Sequence, residues 1–102
     1  MSDIFELAKQ FRRVQEELQK AQEELAKTTY DVANDEGTVK ITISGHQRVQ
    51  AIEISPELVD SGAASRLEQV LVEAVNKAII ESQKHAAERL EGLTGGLNLP
   101  GM

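Results

Sequence analysis

Apolar residues first recur at Ile4, Leu7, Phe11, Val14, Leu18, Ala21 and Leu25, in alternating steps of three and four without a slip. That spacing lays one narrow seam along a helix from Ile4 to about Thr28, with no Gly or Pro to break it. Ser2 suits its N-cap, and Asp3 and Glu6 bring negative charge to the positive end of the helix dipole.

The period then drops to two. Tyr30 and Val32 alternate with polar neighbours, and Asn34-Asp35-Glu36-Gly37 reads as a turn that Gly37 closes with a positive φ. Val39, Ile41 and Ile43 share one face of a second strand, with Thr38, Lys40 and Thr42 on the other. Gly45 marks another turn. A third strand carries Val49, Ile52 and Ile54, and the phase slip between Val49 and Ile52 predicts a bulge. Turns this short imply an antiparallel meander. Pro56 ends the third strand, and residues 57–62 form a connector with room for one helical turn. A second long helix is predicted from about Ala64 to Glu91. It is apolar almost all round as far as Ile80 and mostly polar from Glu81 onward, apart from Ala86, Ala87 and Leu90. Gly92 is its expected stop. The chain therefore reads as one α+β domain over 1–93, a two-layer α-β-β-β-α protomer. Residues 94–102, with Gly95, Gly96, Pro100 and Gly101, read as a flexible C-terminal tail dispensable for folding.

Lengths argue for a partner. A helix of about 25 residues extends about 38 Å, whereas a strand of about seven residues extends only about 23 Å. Both helices must overhang the sheet. The first carries its seam along the overhang, and the second is apolar on two faces. One sheet face cannot cover all of this surface, but a second copy can, through an isologous two-fold contact.

Composition sharpens that expectation. Apolar residues make up 40% of the 102 positions, but the aromatics are only Phe5, Phe11 and Tyr30, so the core is thin. There is no cysteine to supply a disulfide or thiolate metal site, which leaves oligomerisation as the reinforcement. No signal peptide or membrane-length apolar run is visible, so a cytoplasmic location is expected. The formal charge of −6 opposes any general attraction to nucleic acid. Charge is uneven, however. Residues 1–15 hold Lys9, Arg12 and Arg13 against Asp3 and Glu6, while residues 16–36 hold two lysines against seven acids.

Particular segments, taken in order, resemble the YbaB/EbfC family. Gly37-Thr38-Val39-Lys40-Ile41-Thr42-Ile43-Ser44-Gly45 is similar to its central hairpin, and Ile52-Glu53-Ile54-Ser55-Pro56 to its third strand and exit proline. Glu73-Ala74-Val75-Asn76-Lys77-Ala78 is similar to the stretch around an asparagine in its last helix. Gly96-Leu97-Asn98-Leu99-Pro100-Gly101 resembles its usual ending. Together they cover nearly the whole chain. The resemblance implies an intertwined homodimer with projecting helical arms and a place in the bacterial nucleoid. It also implies binding of double-stranded DNA with low sequence specificity, affecting nucleoid organisation and gene expression, and gene neighbours for recombination and clamp-loader proteins. Two departures stand out: the Gly/Met-rich leader is missing, and the first helix is richer in Glu than in Gln and Met.

For DNA contact, Lys9, Arg12 and Arg13 are the leading candidates, since each can reach a phosphate and residues 9 and 13 share a helical face. The competing reading is a solvated face paired with Glu6, Glu16 and Glu17. Lys84, His85 and Arg89, on the polar half of the second helix, form a second candidate group. Lys40 and Arg48, near the outer face of the sheet, rank below them. His46 and His85 lack partners at metal-ligand spacing and read as a turn histidine and a solvent-facing one. Asn76 reads as a side-chain hydrogen bond holding the helix against the sheet or the partner. No phosphate loop and no nucleophile, base and orienting group can be assembled, so no enzyme and no cofactor is expected. Two readings stay open. The first is a DNA-gripping dimer. The second is an interaction module whose acidic helices dock a replication or recombination partner.

Overall fold

A computed structural model describes residues 3–60 and 62–95. The order is α1 (Asp3–Lys27), β1 (Thr29–Ala33), β2 (Val39–Ser44), β3 (Val49–Ile54), α2 (Pro56–Asp60) and α3 (Ala64–Gly95). This is the expected α+β arrangement, a sheet in the order β1-β2-β3 with both pairs antiparallel. The expected N-cap at Ser2 lies outside the described residues.

The core forms where the period-two pattern of β2 meets α3. Val39, Ile41 and Ile43 lose all solvent contact beneath Val70, Ala74 and Ala78, with Val32 and Leu58 completing the cluster. Half-buried Tyr30, Ile54, Leu67, Leu71, Val75 and Ile79 close its edges. At the first turn Gly37 takes φ +72°, as its place after Asn34-Asp35-Glu36 requires. Asn34 holds that turn: its Oδ1 accepts from the Val39 amide at 2.9 Å, and its Nδ2 donates to Thr38 Oγ1 at 2.9 Å. The bulge is present too. Thr42 faces Ala51 and Ile43 faces Val49, so Gln50 is the extra residue. It keeps Val49 and Ile52 on the core side of the sheet despite their odd spacing.

Gly92 does not end the last helix, which continues to Gly95. A glycine inside a helix costs only about 1 kcal/mol relative to alanine, and half-buried Leu90 and Leu93 hold the turn around it. The segment expected as a tail from Thr94 thus begins inside α3, and its remainder, 96–102, lies outside the described residues. Among the described residues no helix is long and apolar enough to cross a membrane.

Candidate nucleic-acid interface

The molecule is elongated, 73 Å in its longest dimension, because α1 leaves the body as an arm. Only the foot of the arm is anchored. Ala21 and Leu25 are buried there, Val14 and Leu18 are half-buried, and Ile4, Leu7 and Phe11 are 72, 63 and 66% exposed. The seam inferred from the sequence is continuous, but its cover stops partway.

The anchor is a polar knot between the foot of α1, the β2–β3 turn and α3. The Gly45 amide lies within hydrogen-bonding range of two carbonyl oxygens, Leu25 at 2.9 Å and Thr28 at 3.0 Å. A Cβ on Gly45 would lie 2.7 Å from the Leu25 carbonyl oxygen, so only glycine lets the helix approach this closely. The left-handed residue of the turn is its neighbour Gln47, at φ +59°. The Gln47 Nε2 donates to the Gly45 carbonyl at 2.8 Å and to Ser82 Oγ at 3.2 Å. Ser82, fully buried, donates its own hydroxyl proton to the Ser44 carbonyl at 2.6 Å. His46 Nε2 lies 2.7 Å from the Gln22 carbonyl. A carbonyl can only accept, so this nitrogen carries the proton. Sequence reasoning passed over this knot, for which an adjacent Gly-His-Gln in a hairpin turn was the one available signal.

Lys9, Arg12 and Arg13 all lie on the exposed part of α1, and among the described residues none of them forms an ion pair. The expected competition from Glu6, Glu16 and Glu17 is thus not realised as close contacts. At about 100° per residue, the three cations fall on the side of the helix roughly opposite the seam. Phe5 shares that side and is exposed, an aromatic that the heptad pattern leaves unexplained.

The second group is less uniform. Lys84 is exposed and also forms no ion pair among the described residues. Arg89 Nη2 sits 3.0 Å from Glu24 Oε2, tying α3 to the foot of the arm. His85 is not the solvent-facing residue expected. Its ring stacks on Tyr30, centroids 4.3 Å apart and planes within 6°, because α3 lies over the start of β1. Its Nδ1 also lies 4.0 Å from Glu88. On the sheet, Lys40 pairs with Glu53 at 3.1 Å. That hydrogen bond and charge, with Asp31 adding to them, hold the Lys40 ammonium above the usual lysine range. Arg48 is exposed. Among the described residues no three histidine or carboxylate side chains are grouped to hold a metal ion.

Two apolar surfaces remain on the body. On β3, Val49 and Ile52 are 42 and 45% exposed although they lie on the core side of the sheet, since α3 covers β1 and β2 and stops short of β3. On α3, Val72 and Ile80 are 61 and 63% exposed, and Asn76 lies between them on the same outward face.

The comparisons agree with this geometry. The family model described as the YbaB/EbfC DNA-binding family matches residues 1–97. A nucleoid-associated protein of Thermoanaerobacter pseudethanolicus is 36% identical over 100 residues, covering 98% of this chain and 90% of that one. One from Chloroflexus aurantiacus is 39% identical over 92 residues, covering 90 and 92%. A crystal structure of an uncharacterized protein from Helicobacter pylori shares the fold, with a TM-score of 0.64 at 16% identity over 89% of this chain and 91% of that one. With the helix–meander–helix order and a match over nearly its whole length, the chain belongs to the YbaB/EbfC DNA-binding family.

Proposed function

We propose that this protein is a cytoplasmic, nucleoid-associated homodimer that binds duplex DNA with low sequence specificity through its arms, shaping nucleoid organisation and gene expression. The carrying observation is the tip of α1, where Lys9, Arg12 and Arg13 stand exposed on one side without an ion-pair partner among the described residues. Phosphates are the ligands such cations fit, and phosphate contacts carry no sequence information. Lys84 extends the same role to the body of the arm; His85 and Arg89 join it by leaving Tyr30 and Glu24. No metal or cofactor enters this reading, and no catalysis.

The dimer supports the grip, because a net charge of −6 repels DNA unless the few free cations act together. Val49 and Ile52 on β3, with Val72 and Ile80 on α3, offer a self-complementary surface of the kind a two-fold contact buries. Asn76 then meets the partner as a polar group within an apolar interface, where it fixes register. Light scattering at micromolar concentration should give about 22 kDa, twice the 11.2 kDa chain. A monodisperse species of single-chain mass would overturn the dimer.

DNA binding is tested by fluorescence anisotropy on two unrelated duplexes across a salt series. Affinity should fall as salt rises, similarly on both duplexes. Arg12→Ala/Arg13→Ala should weaken both and flatten the slope of log K against log salt by about 0.9 for each phosphate no longer neutralised. A double variant that binds like the parent would move the grip to Lys84, His85 and Arg89. The acidic stretch that follows the cations favours a second reading, docking of a recombination or replication protein. A parent that binds no duplex at low salt would overturn the DNA reading and leave that one in its place.

A further inference from the structure

Phe5 is the most exposed large apolar side chain among the described residues, at 74%. We propose that it contacts the C5-methyl of thymine on the floor of the major groove, between Arg12 on one side and Lys9 with Arg13 on the other. The inference rests on the DNA-binding reading above and names what the tip of the arm touches there.

The seam does not account for Phe5. At about 100° per residue, Phe5 points about 100° away from Ile4 and further still from Phe11 and Leu7. A neighbour packed along that seam leaves Phe5 in water. Its companions around the helix are the cations. Arg12 lies about 20° to one side of it, Lys9 about 40° and Arg13 about 80° to the other. Along the axis Lys9, Arg12 and Arg13 stand about 6, 10.5 and 12 Å from Phe5, toward the foot of the arm. None of the three forms an ion pair among the described residues. Glu6 and Asp3 lie about 100° and 160° round from Phe5, off this side. Glu16 and Glu23 fall on it nearer the foot, and both are exposed. A polyanion therefore meets attraction only over the first three turns of α1.

A duplex offers one groove that fits this arrangement. The major groove is about 12 Å wide and admits an α-helix, which is about 10–12 Å across with its side chains. The minor groove, about 6 Å wide, does not. With the cationic side turned inward, Arg12 reaches the phosphates of one strand, and Lys9 and Arg13 reach those of the other. Phe5, between them, faces the bases. A phenyl ring has no hydrogen-bonding group, so the donor and acceptor code of the base edges is closed to it. The thymine methyl is the apolar group on that floor. Burying one group of that size is worth about a fourfold preference. That is too little to define a site, and it is compatible with low sequence specificity.

Deoxyuridine tests the contact, because it lacks the methyl and keeps every phosphate and every hydrogen-bonding edge. In fluorescence anisotropy, the parent should bind a thymine-containing duplex about fourfold more tightly than the same duplex with every thymine replaced by deoxyuridine. Phe5→Ala should bind the two duplexes equally. Its slope of log K against log salt should match the parent's, since no phosphate contact is lost. A parent that binds both duplexes with equal affinity would overturn the role of Phe5 and leave DNA binding intact. A parent that binds neither at low salt would overturn both. A preference that survives in Phe5→Ala would place the methyl contact elsewhere and overturn the proposal. Light scattering at micromolar concentration should give Phe5→Ala the parent's mass. A lower mass would put Phe5 in a contact between copies of the chain, and that too would overturn it.

Discussion

Over its last two turns α1 buries Ala21 and Leu25 against the β2–β3 turn; over its first three it holds Ile4, Leu7 and Phe11 in the open. Both ends belong to the same heptad, and both are apolar. The difference lies in what faces each end. The foot meets a glycine that admits the helix backbone itself, while the tip projects beyond the end of α3. An apolar stripe therefore defines which side of a helix seeks cover, and the neighbouring elements define how far the cover extends. The same holds on β3, whose core-side residues follow the pattern of β2 but lie beyond the reach of α3.

Substitutions along the arm can break that contrast, with protein concentration held fixed because association contributes to apparent stability. Leu25→Ala should have the largest effect, a loss of about 2–5 kcal/mol in urea unfolding as a buried leucine is removed. Leu7→Ala should stay within about 0.5 kcal/mol, as at an exposed site. Similar losses at both positions would mean that the tip is as well packed as the foot. Gly45→Ala comes next, at about 1–3 kcal/mol, because the added methyl must displace the Leu25 backbone. Its circular dichroism should still show helix and sheet, since the clash loosens only the foot. An unaffected Gly45→Ala protein would show that the arm can shift without cost. Ser82→Ala is the mildest of the knot variants, at about 1 kcal/mol, because the hydroxyl no longer bonds to the Ser44 carbonyl. A loss as large as that of Leu25→Ala would make the hydroxyl, not the leucine, the main anchor.

Much of this fold is written in local patterns. The α1 seam, the Val39-Ile41-Ile43 face, the φ of Gly37 and the bulge before Ile52 each depend on residues a few positions apart, and each appears where expected. Features that depend on distant neighbours were not legible. Gly92 looks like a stop because glycine usually is one; only the half-burial of Leu90 and Leu93 shows why the helix continues. Gly45 reads as a turn residue, yet its particular demand comes from the Leu25 carbonyl. Of the candidate DNA contacts, the Lys9, Arg12 and Arg13 group is visible in the sequence as a local excess of positive charge, which the charges alone do not separate from an ordinary solvated face. That Arg89 pairs with Glu24, 65 positions away, and that His85 stacks on Tyr30, followed from no spacing in the chain.

The continuity of α3 has a mechanical consequence. One helix of 32 residues carries Val72 and Ile80 in its middle and Leu90 and Leu93 near its end, with no proline between. It works as a lever, one side of which lies on the sheet while the other supports the arm. From Ile80 to Gly95 the lever is about 22 Å long. A tilt of about 10° where it crosses the sheet would therefore move its end by about 4 Å, more than the length of a hydrogen bond. Small adjustments in how α3 seats on β1 and β2 thus become large changes in where the arm points.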